Sequence, residues 1–285
     1  MSRTVYVNGQ YLPEGDAKIS IFDRGFLFAD GVYEVTSVVG GKLIDFSGHM
    51  KRLRRSLGEL ELTSPATDEE LLAIHRELVA RNAVDEGMIY MQVTRGAADR
   101  DFAFPPEGTR PSLVLFTQAK PVLQSASATR GLKVVSVPDL RWARRDIKTV
   151  QLLYPSIAKM EAKRREADDA WMVEDGFVTE GSSNNAYIVT EDDVIVTRAL
   201  SQSILHGITR AAVLKYAAEA GMRVEERAFT IEEAKAAKEA FVTSASAFVT
   251  PVIEIDGARV GGGQPGPVAR RLRDIYIAES LERAE

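Results

Sequence analysis

The 285-residue sequence contains no cysteine. This absence excludes disulfide bonds, thiolate metal sites and cysteine nucleophiles together. Only three histidines occur, widely spaced along the chain, so a histidine-rich zinc centre is not expected. Demanding chemistry would therefore come from an organic cofactor, or from serine, lysine, tyrosine and carboxylate side chains.

Excess positive charge and long apolar runs are also missing. The formal net charge is -5 and there is no long basic run, so a nucleic-acid partner is not expected. No apolar run is long enough to span a bilayer, and the first ten residues are polar, which favours a cytoplasmic protein without membrane contact. The 45% hydrophobic residues suit a globular protein of one or two domains.

The first part of the chain alternates strand patterns with two helix patterns. Asn8-Gly9, between TVYV and QYL, predicts a β-hairpin. Ser47 is the expected N-cap of one helix, and Thr67 with Glu70 forms a capping box at the start of the next. The strand-like segments MIYMQVT and SLVLFT follow. These patterns predict an α+β unit.

Small and polar residues between 119 and 130 resemble a linker between domains. We therefore predict a small N-terminal domain at 1–118, a linker at 119–130 and a larger domain at 131–285. The larger domain again mixes strand and helix patterns, including a helix that stops at Gly221 and a capping box at Thr230 and Glu233.

Three segments of the second half could carry chemistry, although each has an ordinary alternative. The turn at Gly207 leads into a helix whose first N–H groups could bind a phosphate, but Thr209 could simply be an N-cap. Glu180 precedes a polar loop and could face a heterocycle nitrogen, or it could be a surface strand residue. Lys148 has cationic and apolar neighbours, which favour a nucleophilic amine, yet most lysines are solvated.

Taken together, these segments resemble the fold type IV family of pyridoxal-phosphate aminotransferases, and within it the D-amino-acid aminotransferases. The family order of motifs extends over almost the whole chain, which is more specific than any one motif. The matching stretches are DRGFLFADGVYEV at 23–35, GHMKRL at 48–53, IYMQVTRG at 89–96, LRWARRDIK at 140–148, VTEGSSNN at 178–185, ILHGITR at 204–210 and FVTSASAFVTPVIEIDG at 241–257.

The resemblance implies a pyridoxal 5'-phosphate cofactor and its binding residues. Lys148 matches the lysine that holds the cofactor covalently and moves the proton, and Glu180 matches the carboxylate paired with the pyridine nitrogen. Leu205 would pack against the cofactor ring. The phosphate group would be bound by Arg52, by Ile208 and Thr209 through their N–H groups, and in the region of Ser244 and Ala245.

The resemblance also implies how the substrate is bound. Tyr33 and Arg100 match the residues that bind the α-carboxylate of a D-amino acid, and Val35 belongs to the same strand. The sequence departs from the family pattern at Phe102, where a second carboxylate donor, a histidine, is expected. Arg24 or Arg144 could compensate for that missing donor.

The implied reaction is a ping-pong transamination from D-amino acids such as D-alanine to 2-oxoglutarate or pyruvate, in a homodimer whose active site lies between domains. Phe102 makes an (R)-selective amine transaminase an alternative, because such enzymes accept substrates without a carboxylate. Branched-chain aminotransferases, aminodeoxychorismate lyases and a non-catalytic scaffold are more distant possibilities.

Overall fold

The computed structural model describes residues 2–285, which form two compact units. The first unit comprises the chain up to Val122 together with Ile147–Gln151 and Arg283–Glu285, and the second comprises Leu123–Asp146 and Leu152–Glu282. Within residues 2–285, no helix is both long and apolar enough to cross a membrane.

The first unit is built on a six-stranded sheet in the order β2-β1-β6-β5-β3-β4, in which all neighbours are antiparallel. Asn8 and Gly9 have positive φ angles of 48° and 98°, so the predicted β1–β2 hairpin is confirmed. The strands are β1 (Thr4–Val7), β2 (Gln10–Pro13), β3 (Gly31–Val39), β4 (Lys42–Leu43), β5 (Glu86–Thr94) and β6 (Ser112–Ala119).

Helices α1 (Arg24–Phe28), α2 (Phe46–Glu59) and α3 (Asp68–Arg81) complete this unit. The capping box of Thr67 and Glu70 is present at the start of α3, as predicted. The predicted N-cap at Ser47 is wrong, because α2 already begins after Asp45, which adopts a left-handed conformation without a side-chain cap. Apolar faces of α2 and α3 join the sheet in one core that includes Met50, Leu53, Leu71, Leu78 and Ile89.

The second unit contains a nine-stranded mixed sheet in the order β12-β11-β10-β13-β14-β7-β8-β9, with β15 paired to β14. Pairs β11/β12, β14/β7 and β7/β8 are parallel and the others antiparallel. The strands are β7 (Leu132–Pro138), β8 (Asp169–Glu174), β9 (Phe177–Gly181), β10 (Asn185–Val189), β11 (Val194–Thr197), β12 (Arg223–Glu226), β13 (Glu239–Ser244), β14 (Phe248–Ile255) and β15 (Ala258–Arg259).

Five helices belong to this unit: α4 (Ala126–Arg130), α5 (Leu153–Arg164), α6 (Ile208–Glu219), α7 (Ile231–Lys235) and α8 (Pro267–Glu282). The short α4 lies inside the segment predicted as a linker, where the Ser125 side chain accepts a hydrogen bond from the Ala128 N–H. Thr230 caps α7 as predicted. Strands β8 and β10, which both have neighbours on two sides, are buried along most of their length, which explains their continuous apolar runs.

Candidate active site

Lys148 lies on the short segment Ile147–Gln151, which packs against β3 of the first unit. The Tyr33 N–H donates to the Lys148 carbonyl (3.0 Å), and the Val150 N–H donates to the Gly31 carbonyl (3.1 Å). Ile147 is buried in the core of this unit. Both backbone bonds hold Lys148 in a fixed place beside the strand although it belongs to no helix or strand itself.

The side chain of Lys148 points over the ring of Tyr33, with Nζ 4.0 Å from the ring centroid. Within residues 2–285, the ammonium group has no carboxylate partner. Tyr33 and Val35 alternate with buried residues along β3, so both face the same side of the sheet, and Tyr33 stacks on Tyr90 with 5.5 Å between ring centroids. The structure thus brings three predicted site residues, Lys148, Tyr33 and Val35, to one face.

Arg52 lies on α2 with its side chain buried beside the opposite face of β3. Its Nε and Nη2 donate to the two carboxylate oxygens of Glu34 at 2.8 and 2.7 Å, and His49 Nδ1 lies 2.8 Å from Glu34 Oε2. Burial by itself would raise the pKa of Glu34, but the charge and hydrogen bonds of Arg52 and His49 lower that pKa to about 2. Glu34 is therefore ionised at neutral pH and fixes one edge of the Arg52 guanidinium.

Arg100 lies on the exposed loop between β5 and β6. Its guanidinium carbon is 5.4 Å from the ring centroid of Phe28 and 5.3 Å from that of Phe102. Among the described residues, 2–285, no ion pair joins Arg100 to a carboxylate. The two rings hold the guanidinium by cation–π contact and leave its N–H groups available to an anion.

Glu180 is fully buried near the end of β9 in the second unit. Its Oε1 accepts a hydrogen bond from Arg141 Nη1 (2.6 Å) and its Oε2 one from Asn185 Nδ2 (3.0 Å), while the Leu205 N–H lies 3.1 to 3.2 Å from both oxygens. Burial raises the pKa of Glu180, and the opposing effects of Arg141 and of the Leu205 N–H do not outweigh it. Glu180 is a better proton acceptor than an exposed glutamate.

Asp139 follows β7 and binds the same arginine from the other side. Arg141 Nε and Nη2 donate to the two oxygens of Asp139 at 2.9 and 2.6 Å. Burial by itself would lower the pKa of Arg141, but its bonds to Asp139 and the charge of Glu180 raise that pKa overall. Arg141 stays protonated under all ordinary conditions.

Helix α6 begins shortly after Leu205, whose N–H contacts the Glu180 carboxylate. Gly207 is its N-cap and provides no side-chain cap, so the first N–H groups, those of Ile208 and Thr209, start the helix without a side-chain acceptor. A Cβ at Gly207 would clash with Oδ1 of Asn185, whose amide also donates to Glu180 and to the Leu205 carbonyl. The alternative that Thr209 is the N-cap is wrong, because Thr209 is already the second helical residue.

Ser244 and Ala245 lie where β13 ends and the turn to β14 begins, and both are partly exposed. Sequence patterns did not indicate the contacts that complete these sites. The partners of site residues that were missed are Glu34, Asp139, Arg141 and Asn185. Three of these partners, Glu34, Arg141 and Asn185, lie inside motifs of the family resemblance. The motifs are GVYEV, LRWARRDIK and VTEGSSNN, and their presence was the only signal.

Comparison with known proteins identifies the family. The model of the class IV amino-transferase family matches residues 31–255. D-alanine aminotransferase of Staphylococcus aureus (strain COL) is 39% identical over 274 residues, which is 95% of this chain and 96% of that protein. D-alanine aminotransferase of Bacillus licheniformis is 37% identical over 271 residues, 94% of each chain. The chain belongs to the class IV aminotransferases.

Solved structures agree with this assignment. The T.th. branched-chain amino acid aminotransferase with pyridoxamine 5'-phosphate superposes with a TM-score of 0.90 at 27% identity, covering 99% of this chain and 95% of that one. The branched-chain aminotransferase of Thermoproteus uzoniensis with norvaline superposes with a TM-score of 0.86 at 28% identity, covering 99% of this chain and 96% of that one. The predicted fold type IV, α+β architecture and the predicted class, a pyridoxal-phosphate-dependent aminotransferase, are confirmed.

The residues present fit this cofactor. Lys148 offers an amine that no carboxylate within residues 2–285 neutralises, Glu180 offers a buried carboxylate with raised proton affinity, and α6 offers N–H groups without a side-chain cap. An aldehyde requires an amine, a basic ring nitrogen requires a carboxylate, and a phosphate requires N–H donors. The chain offers all three groups.

Proposed function

We propose that this protein transfers the amino group of D-amino acids, D-alanine among them, to 2-oxoglutarate or pyruvate. The observation that carries the proposal is the 37 to 39% identity with D-alanine aminotransferases over nearly the whole chain. Lys148 with Tyr33, and Arg100 on its loop, support the proposal by their chemistry. An amine, a phenol and a guanidinium without an ion pair among residues 2–285 are groups that can bind an amino acid.

The proposed cofactor residues divide by the chemical group they bind. Lys148 forms the covalent bond, Glu180 receives the ring nitrogen and Leu205 packs on the ring. For the phosphate we propose the guanidinium of Arg52, which Glu34 holds in place through Nε and Nη2. The other proposed phosphate-binding residues are Ile208, Thr209, Ser244 and Ala245.

When bound, pyridoxal phosphate supplies a carbonyl carbon that combines with the amine of the substrate and a ring that takes up the electron pair left at Cα. Lys148 Nζ would take the proton from the substrate Cα and deliver it for the reverse transfer. Glu180 would keep the ring nitrogen protonated, because a negative charge in a buried place favours a nearby cation. Tyr33 positions the Lys148 amine through the face of its ring.

For the substrate carboxylate we propose Arg100 with Tyr33, and Val35 beside them. The two arginines expected to compensate for Phe102 are engaged elsewhere. Arg24 donates to Asp30 (2.7 Å) and to the carbonyls of Asp101 and Ala103, and Arg144 donates to Asp146 (3.0 Å). Phe102 itself contacts Arg100 through its ring, so it orients the guanidinium instead of adding a second donor.

The test is a donor comparison with the cofactor-loaded protein. D-alanine, L-alanine, L-leucine and (R)-1-phenylethylamine are each supplied with 2-oxoglutarate, and cofactor absorbance and keto-acid formation are followed together. We expect turnover with D-alanine and none with L-alanine. A preference for (R)-1-phenylethylamine would move the assignment to the amine transaminases, a preference for L-leucine to the branched-chain enzymes, and inactivity with all donors would contradict the proposal.

The proposal extends to assembly and location. We propose a homodimer in the cytoplasm, with domains at 1–118 and 131–285 joined by residues 119–130. Light scattering on the purified protein tests the dimer, fractionation of cells tests the location, and limited proteolysis with mass analysis tests the boundary.

A further inference from the structure

The contacts of Glu180 belong to a longer chain of charges, here called the Asp139–Arg141–Glu180 cluster. Arg141 bonds Asp139 through Nε and Nη2 and Glu180 through Nη1, so one guanidinium bridges two carboxylates with three short hydrogen bonds. All three groups are largely removed from water: the side chains of Asp139, Arg141 and Glu180 are 0%, 13% and 4% exposed. A planar guanidinium suits this bridge because its donors diverge in fixed directions.

The far end of the cluster is anchored to the sheet. The Asp139 N–H donates to the Val173 carbonyl of β8 (2.8 Å), and Thr179 Oγ1 donates to Asp139 Oδ2 (2.6 Å). Thr179 immediately precedes Glu180 on β9. Arg141 lies beyond the end of β7. Its two hydrogen bonds to Asp139 therefore determine where its third donor, Nη1, points.

The charges within the cluster do not cancel. Two carboxylates share one guanidinium, which leaves a net charge of one negative unit in a buried place. Arg145 extends the cluster, with Nε 3.6 Å from Asp139, but its other nitrogens donate to Glu174, so three carboxylates then share two guanidinium groups and one negative unit still remains. One further positive charge beside Glu180 would balance the cluster, and a protonated pyridine nitrogen is such a charge.

We propose that Arg141, held by Asp139, is a positioning residue that opposes protonation of Glu180 and fixes the direction in which its carboxylate faces the ring nitrogen of the cofactor. This inference rests on the proposed function, in which Glu180 receives that nitrogen. A purely structural ion pair would affect folding alone. A positioning residue also changes where the proton between Glu180 and the ring resides.

The first experiment measures that proton directly. The protein is loaded with pyridoxal phosphate labelled with ¹⁵N in the ring, and the ¹⁵N chemical shift is compared between wild type, Arg141→Met and Arg141→Lys. With Met, we expect the proton to move to Glu180, because an unpaired buried carboxylate binds a proton, and the ring shift to become that of an unprotonated pyridine. With Lys, which keeps the charge, we expect a shift near the wild-type value.

Single-turnover rates with D-alanine accompany these spectra. We expect Arg141→Met to slow amino transfer about 10- to 100-fold, the range for partners that orient a functional group, and Lys to restore part of the rate. Arg130→Met is the matched control, since Arg130 forms an exposed pair with Asp168 in the same unit. A protonated ring nitrogen and an unchanged rate in Arg141→Met would overturn the inference.

Asp139→Asn separates orientation from charge and covers the case in which Arg141→Met does not fold. Arg141 keeps its charge in this variant but loses its ionic anchor. We therefore expect a ring nitrogen that stays protonated together with a slower single turnover. A wild-type rate in Asp139→Asn would show that Asp139 does not position Arg141.

A double-mutant cycle distinguishes failure of the inference from failure of the proposed function. If Arg141 acts through Glu180, then Arg141→Met adds little further loss in a Glu180→Gln background. Full additivity of the two losses, with Glu180→Gln itself impaired, contradicts the role of Arg141 alone. A fully active Glu180→Gln with a protonated ring nitrogen contradicts the assignment of Glu180 in the proposed function.

Discussion

Glu34 and Glu180 are both fully buried, and each lies beside one arginine, yet their pKa values move in opposite directions. Glu34 receives two hydrogen bonds from Arg52 and a further contact from His49, and its pKa falls to about 2. Glu180 receives a single hydrogen bond from Arg141 beside neutral donors, the Asn185 amide and the Leu205 N–H, and burial raises its pKa. The difference lies in how the arginine is shared.

Arg52 gives two of its donors to Glu34, whereas Arg141 gives two of its donors to Asp139 and one to Glu180. A carboxylate with its own guanidinium is fully compensated and serves to hold that guanidinium in place. A carboxylate that shares one keeps unsatisfied negative charge and can attract another cation. Burial alone therefore does not distinguish a structural carboxylate from a functional one.

The largest effect is expected at Lys148, which is neither of the two glutamates. Its loss of activity is the reference for the effects expected at Glu180 and Glu34. Lys148→Met removes the amine that we propose binds the cofactor and moves the proton, so transamination of D-alanine should fall at least about a thousandfold. Mass spectrometry after borohydride reduction should find no cofactor attached to the chain. Reduction that still links the cofactor to the variant, at another lysine, would contradict the assignment.

The next largest effect should appear at the shared carboxylate. In Glu180→Gln, kcat with D-alanine is expected to fall about 100-fold, because an amide does not hold the ring nitrogen protonated. Steady-state kinetics measure this, with Glu219→Gln as the exposed control from the same unit.

The stability of the cofactor-free protein should not suffer from Glu180→Gln at pH 7. The pKa of Glu180 is higher in the folded than in the unfolded state. Glu180 therefore contributes stability when the pH is below its unfolded pKa and loses that contribution as the pH rises through its folded pKa. Chemical denaturation at pH 7 should therefore give an unfolding free energy at or above that of wild type. A clear loss of stability would show that Glu180 is fully compensated like Glu34.

The carboxylate with its own arginine should show the opposite behaviour. Glu34→Gln leaves Arg52 buried without a counter-charge, so we expect a loss of about 3 kcal/mol in the free energy of unfolding at pH 7. The Glu34 pKa lies below its unfolded value, so its contribution is present above pH 4.5 and disappears as pH falls toward 2. Wild type and variant should therefore converge in acid.

Denaturant titrations at pH 7 and at pH 3 measure this convergence. Glu14→Gln is the matched control, because Glu14 pairs with Arg3 on the surface of the same unit and exposed pairs contribute at most about 1 kcal/mol. Equal losses of unfolding free energy for Glu34→Gln and Glu14→Gln would contradict the contrast between Glu34 and Glu180.

The smallest effect is expected at the substrate loop. Phe102→His places a hydrogen-bond donor next to Arg100, so KM for D-alanine should fall roughly fivefold, the value of one hydrogen bond of about 1 kcal/mol. Activity with (R)-1-phenylethylamine, which has no carboxylate, provides the internal comparison and should not improve. Equal improvement with both donors would show that residue 102 does not act on the carboxylate.

Local sequence signals predicted the local structure well. Asn8-Gly9, the box of Thr67 and Glu70, and Thr230 before α7 each act within a few residues, and the structure has all three. Ser47 failed as an N-cap because Asp45, in a left-handed conformation, turns the chain into α2 two residues earlier. The short strands β11 and β12 were missed, since four-residue strands carry little periodicity and these two, unlike β1 and β2, are not joined by an Asn-Gly turn.

By itself, the sequence determined the family and the cofactor and predicted the roles of Lys148 and Glu180, because these depend on motifs in a fixed order. Only the tertiary structure decided which carboxylate has its own arginine and which shares one. Asp139 lies 41 positions before Glu180, and Glu34 lies 18 before Arg52. Contacts over such separations, and the low dielectric that makes them matter, arise from the packing of strands and helices and leave no local pattern in the chain.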